Sequence, residues 1–173
     1  MVGDTGRRRR LEKDLSEEIC RQLSNVPGVW CFDVNTLDKV GQSRGISVPD
    51  VVVYRQAERS TVQVAIVDFY EPDPNVFARG ERLRKHLNKK LKQVQNEINA
   101  ICGKITRILL GGVQVEFTRA FIHVIRPRGI RTVQTLQQRS EKGYPQIELT
   151  FCTKDRRSVE STINEIRSTL GIR

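Results

Sequence analysis

Residues 48–70 read "VPDVVVYRQAERSTVQVAIVDFY". Two β-branched runs, "VVVY" (Val51 to Tyr54) and "TVQVAIVDFY" (Thr61 to Tyr70), flank the charged "RQAERS", a pattern that predicts two antiparallel strands joined by a short turn. Both strands are expected in the interior, yet each has an acid near one end. Asp50 opens the first, just after Pro49; Asp68 closes the second, before "EPDP" breaks the chain. In an antiparallel pair the start of one strand lies beside the end of the other, so Asp50 and Asp68 are expected to converge at the same sheet edge. Two carboxylates there repel unless a cation sits between them or one keeps its proton. An oxygen pair of this kind suits Mg2+ or Mn2+.

On the N-terminal side, "GRRRRLEKDLSEEICRQLSN" spaces Leu11, Leu15, Ile19 and Leu23 four apart, one face of an amphipathic helix that Pro27 and Gly28 stop. "VWCFDV" follows as a short strand, and "NTLDKVGQSRGISVPD" reads as a polar, glycine-punctuated loop. On the C-terminal side, Leu83, Leu87, Leu91, Val94, Ile98 and Ile101 form the apolar stripe of a helix from about Val76 to Ile101. That stripe is expected to cover the sheet. "RAFIHVIRPRG" and "QIELTFCT" read as later strands, separated by a basic, glutamine-rich stretch from Arg128 to Lys142. Asp155 is placed to cap a final helix ending before Gly171. The expected fold is α/β, a central mixed sheet flanked by helices, in one domain over residues 11–173 preceded by a basic arm over residues 1–10.

Lys and Arg outnumber Asp and Glu by 30 to 20, a net charge of +10, and such a positive field attracts a polyanion. Nucleic acid is the expected partner. No stretch approaches the roughly 20 apolar residues needed to cross a bilayer, and the N-terminus is charged where a signal peptide would be greasy. An intracellular protein is expected. Cys20, Cys31, Cys102 and Cys152 lie far apart with no CxxC pair, and His86 and His123 are the only histidines, so the cysteines are expected to be core thiols.

"VPDVVVY" followed by "VAIVDFY" resembles the core of the PD-(D/E)XK nuclease superfamily, the restriction-endonuclease-like fold, in which a Pro-Asp on one strand precedes an Asp/Glu-x-Lys on the next. The likeness extends upstream: "LEKDL", "VWCFDV" and "GQSRGISVPD" follow the order of helix, strand, loop and Pro-Asp found in archaeal Holliday-junction resolvases, and it covers about residues 7 to 100. The resemblance implies a Mg2+- or Mn2+-dependent endonuclease acting on DNA, in which Asp50 and Asp68 hold the metal with the Phe69 carbonyl and Glu12. By analogy with the resolvases it also implies a homodimer. One departure is important: Tyr70 stands where the family has lysine, and a tyrosine supplies no positive charge at neutral pH. In the restriction-like endonucleases of site-specific retrotransposons, which this sequence is similar to here, that lysine comes from the following helix.

On a helical wheel Lys85, Lys89 and Lys92 oppose the leucine stripe, whereas Arg79, His86 and Lys90 lie on one flank from which a long side chain reaches the sheet edge. Lys90 is therefore the expected substitute cation, with Tyr70 beside it. Arg7, Arg8, Arg9 and Arg10 in the arm, Ser43 and Arg44 in the loop, and Lys85 and Lys89 on the helix are the candidate nucleic-acid contacts. Two other readings stay open: a non-catalytic nucleic-acid-binding module on the same fold, and a basic structural or assembly protein.

Overall fold

The computed structural model describes residues 3–77, 80–125, 139–141, 143–152 and 156–173, and side chains over 13–76, 80–125, 143–150 and 159–173. Helix α1 (Gly3–Leu23) is followed by strand β1 (Val29–Phe32) and helix α2 (Val34–Gln42). Strands β2 (Val51–Glu58) and β3 (Thr61–Tyr70) form the hairpin read from sequence. A single turn of helix, α3 (Pro74–Phe77), precedes the long helix α4 (Gly80–Ala100), which runs through a π-helical turn (Ile101–Ile105) into α5 (Thr106–Leu110). Strands β4 (Gln114–Ile125), β5 (Arg139–Glu141) and β6 (Tyr144–Cys152) and helix α6 (Arg156–Leu170) complete the chain.

The six strands form one mixed sheet in the order β1-β2-β3-β4-β6-β5. Neighbours are antiparallel from β1 to β3, parallel from β3 through β4 to β6, and antiparallel again between β6 and β5. The parallel β3–β4 pair requires a crossover, and α4 through α5 supplies it. Strand residues alternate between two buried faces. Val52, Tyr54, Val64 and Ile66 pack with Leu83, Leu87, Leu91, Val94 and Ile98 of α4, while Val51, Val53, Ala65, Val67 and Phe69 pack with Ile19 and Leu23 of α1 and Ile163 and Ile166 of α6. Burial on both faces explains the unbroken apolar runs. Each fully buried side chain contributes roughly 1.5 to 3 kcal/mol. The α/β class and the flanked mixed sheet are as expected from the sequence.

Several boundaries differ from the sequence reading. The strand "VWCFDV" ends at Phe32, because Asp33 is the N-cap of α2: its carboxylate accepts the Thr36 N–H at 3.1 Å. The stretch read as a loop is thus partly helical, and it buries Leu37 and Gly41. β2 extends through the charged "RQAE" to Glu58, so the hairpin turn shrinks to Arg59 and Ser60. The long helix begins at Gly80, after the separate turn in which Asp73 accepts the Asn75 N–H at 2.8 Å, and its register continues past Ile101. Gly171 ends α6 at φ +64°, a left-handed conformation that suits glycine, with the Ile172 N–H bonded to Arg167 O at 2.8 Å. Asp155 and residues 126–138 lie outside the described residues.

The cysteines differ too. Cys20 on α1 and Cys31 on β1 form a disulfide, and Cys102 is an exposed free thiol rather than a core one. His123 is the buried histidine: it stacks between Phe69 and Phe121, its ring nitrogens meet Thr150 and Thr162, and burial lowers its pKa to about 4, so it is neutral. It lies on the α1/α6 side of the sheet, facing away from Asp68.

If Asp33 caps α2, Asp33→Ala costs about 1 kcal/mol in urea unfolding and Asp33→Asn much less, because asparagine retains the accepting oxygen. Equal costs for the two variants contradict the cap.

Candidate active site

Asp50 immediately precedes β2, and Asp68 is the third residue from the end of β3. The β2–β3 register pairs Val51 with Val67, which places the two acids beside each other. They are locked reciprocally. The Asp50 N–H donates to Asp68 Oδ1 at 3.2 Å, and the Phe69 N–H donates to Asp50 Oδ2 at 2.8 Å. The convergence expected from the sequence is present, at the strand ends of an interior pair rather than along an outer edge of the sheet. Both acids are buried, Asp50 at 9% and Asp68 at 2% exposure.

Helix α4 lies over this end of the sheet and brings Lys90, whose Nζ is 3.8 Å from Asp68 Oδ1. The substitute cation chosen from the helical wheel therefore reaches the acid pair. Lys85 and Lys89 are exposed, as the same wheel implies; His86, which the wheel places on the flank beside Lys90, is exposed as well, and Arg79 lies outside the described residues. Tyr70 is half-buried and packs against the core on the α4 side. Ser43 and Arg44 are exposed at the C-terminus of α2, where the Arg44 guanidinium donates to Ser43 Oγ at 2.7 Å. Helix α1 carries the arginine run within it, from a start at Gly3; the side chains of Arg7, Arg8, Arg9, Arg10 and Glu12 lie outside the described residues.

The sequence reading missed Glu97. This residue is fully buried on α4, and its Oε1 accepts from Ser47 Oγ at 3.0 Å and from Gln93 Nε2 at 2.9 Å. Burial above all, then the charge of Asp68 and a hydrogen bond to it, push the Glu97 pKa up to about 10, against the opposing pull of Lys90 and Gln93. Glu97 is thus protonated at neutral pH. Its Oε2 and Asp68 Oδ2 are both buried without an N–H or hydroxyl donor among the described residues, and a proton on Glu97 directed at Asp68 satisfies both. The signal lay in the same wheel. Lys90, Gln93 and Glu97 are spaced i, i+3 and i+7 along one flank of the stripe.

Among the described residues no group of three or more His, Cys, Asp or Glu is arranged to hold a metal ion. The donor chemistry nonetheless fits Mg2+ or Mn2+, because Asp50 and Asp68 offer hard oxygens and Mg2+ commonly takes only one or two carboxylates while keeping several waters.

The folded state keeps the Glu97 proton up to about pH 10, whereas an ordinary glutamate releases it near 4.5. Between these values the folded chain binds more protons than the unfolded one, so stability falls as pH rises through that window. In thermal unfolding with a chelator from about pH 5 to 9, wild type is predicted to lose more stability than Glu97→Gln, which cannot titrate. Parallel profiles contradict the buried proton.

No family model, curated protein or solved structure matches this chain, so its functional reading rests on the site itself.

Proposed function

We propose that the protein is a metal-dependent endonuclease of the PD-(D/E)XK type that hydrolyses DNA phosphodiester bonds. The observation that carries this reading is the reciprocal Asp50–Asp68 pair with Lys90 brought to Asp68 from the following helix. The order helix, strand, hairpin, long helix, parallel strand supports it as well. Asp50 and Asp68 would hold the cation, with Glu12 as a further candidate ligand. A bound divalent ion supplies charge that acidifies water and offsets charge on the scissile phosphate.

The chain's own groups have distinct parts. The backbone N–H groups of Asp50 and Phe69 fix both carboxylates before substrate arrives, so no reorganisation is needed. Lys90 places the positive charge that Tyr70 cannot supply, and Tyr70 orients water or phosphate through its hydroxyl. Exposed Lys85, Lys89, Ser43 and Arg44, with the arginines of α1, would track the nucleic-acid backbone. Homodimerisation and an intracellular location belong to the same proposal. The disulfide, a feature of oxidising compartments, weighs against the latter. Among the described residues no helix is long and apolar enough to cross a membrane.

A second reading, a binding module without cleavage, draws on the enclosure of Asp68 at 2% exposure and on tyrosine at position 70. Incubation of wild type, Asp68→Asn and Lys90→Ala with linear, branched and single-stranded DNA in Mg2+ and in Mn2+ separates the two. The nuclease reading predicts cleavage by wild type and at least roughly 100-fold loss in each variant, with DNA affinity changed less than about tenfold, since a charge aimed at the transition state matters more than one phosphate contact among many. Wild type that cuts nothing while its DNA affinity falls steeply with salt supports the binding module. A flat salt response removes nucleic acid altogether.

A further inference from the structure

A pocket of about 810 Å3, unconnected with the acids, opens at the other end of β3. Its lining includes Ser60 of the β2–β3 turn, part of the π-helical turn and α5, and the start of β4; none of Asp50, Asp68, Lys90 or Glu97 contributes. Asp68 lies seven positions beyond Thr61, which is next to Ser60, about 23 Å along an extended strand.

Its charge is one-sided. Arg44, Lys104 and Arg107 line it and no carboxylate does. Among the described residues no ion pair joins any of the three to an acid, whereas Lys13, Arg21 and Arg119 elsewhere in the chain all have acidic partners. Three uncompensated cations around one concavity repel each other, a cost that an anion bound between them removes. Gly111 and Gly112 both line the pocket, and Gly111 adopts φ +84°, a left-handed conformation that favours glycine. The π-helical turn that carries Lys104 is a rare local geometry that recurs at functional sites. The rest of the wall mixes polar Ser60, Thr106 and Gln114 with aliphatic Val113, Val115 and Ile108, the last 39% exposed. The volume lies in the range of small-molecule sites, and a lining that combines three cations with exposed aliphatic surface suits a ligand with a phosphate at one end and a flat ring at the other.

We infer that this pocket binds a nucleotide, its phosphate held by Arg44, Lys104 and Arg107 and its base laid against Ile108 and Val113. The site goes beyond the nuclease reading and does not depend on it. The phosphate could belong to a free nucleotide or to the 5′ end of a nucleic-acid strand.

Cys102 provides a probe, because this exposed thiol also lines the pocket. The experiment titrates the whole protein with the four common nucleoside 5′-monophosphates by calorimetry, with the unphosphorylated nucleosides as controls, and follows alkylation of Cys102 by peptide mass spectrometry. Expected are saturable binding of at least one monophosphate, none of its nucleoside, and slowed alkylation of Cys102. Arg107→Ala and Lys104→Ala should each weaken binding at least tenfold with unchanged thermal midpoints, whereas Lys92→Ala, which removes an exposed lysine of α4 away from the pocket, should not. A 5′-phosphorylated oligonucleotide that competes where its unphosphorylated twin does not identifies a strand end as the source; failure of both to compete identifies a free nucleotide. Absence of saturable binding, or binding that Lys92→Ala weakens as much as Arg107→Ala does, overturns the inference.

Discussion

The reciprocal bond between Asp50 and Asp68 is the constraint on which the rest of this structure depends. A carboxylate at 2% exposure is costly to keep charged, and two side by side cost more still. Three things make it tolerable here: two backbone N–H donors, the Lys90 ammonium 3.8 Å away, and a proton retained on Glu97. Each comes from a different part of the fold. The donors require the β2–β3 register, since a slip of one residue would turn every side chain of a strand to the opposite face. The cation and the proton require α4 to lie over these strands at one rotation about its axis.

That rotation is set by packing. Leu83, Leu87, Leu91, Val94 and Ile98 seat α4 on the sheet, and with the stripe seated, Lys90, Gln93 and Glu97 fall on the flank that faces the acids. Ser47, just after α2, then holds Glu97 from the other side together with Gln93. The segment between α2 and β2 is therefore part of the site's support. This also explains Gly41, whose Cβ would sit 2.7 Å from the Ile46 carbonyl oxygen: the chain folds back on α2 too closely for any side chain there. On the proposed nuclease reading, this support would hold the acid pair preorganised.

How much of this was legible in the sequence follows from what each residue signals locally. Strands buried on both faces advertise themselves, so β2, β3 and their hairpin could be read, and an antiparallel hairpin then brings Asp50 and Asp68 together. The α4 stripe is strong enough to place Lys90 by angle alone. Glu97 sat on the same flank, but a glutamate in a charged helix resembles any solvated residue, and its burial depends on Ser47, fifty residues away. Helix α2 was hidden because Gly41 and Gly45 suggest a loop, although Gly41 serves a close helix–loop approach. The Cys20–Cys31 bond joins two elements, and only their packing reveals it.

The proposed nuclease reading places a cation at the Asp50 and Asp68 carboxylates. Titration of the metal-free protein with Mn2+ near neutral pH, followed by electron paramagnetic resonance, tests that most directly. One saturable Mn2+ site in wild type, lost in Asp68→Asn and kept in Lys85→Ala, is the predicted result. Wild type that binds no Mn2+ at millimolar concentration, or Asp68→Asn that binds it equally well, would contradict a metal-dependent site at Asp50 and Asp68.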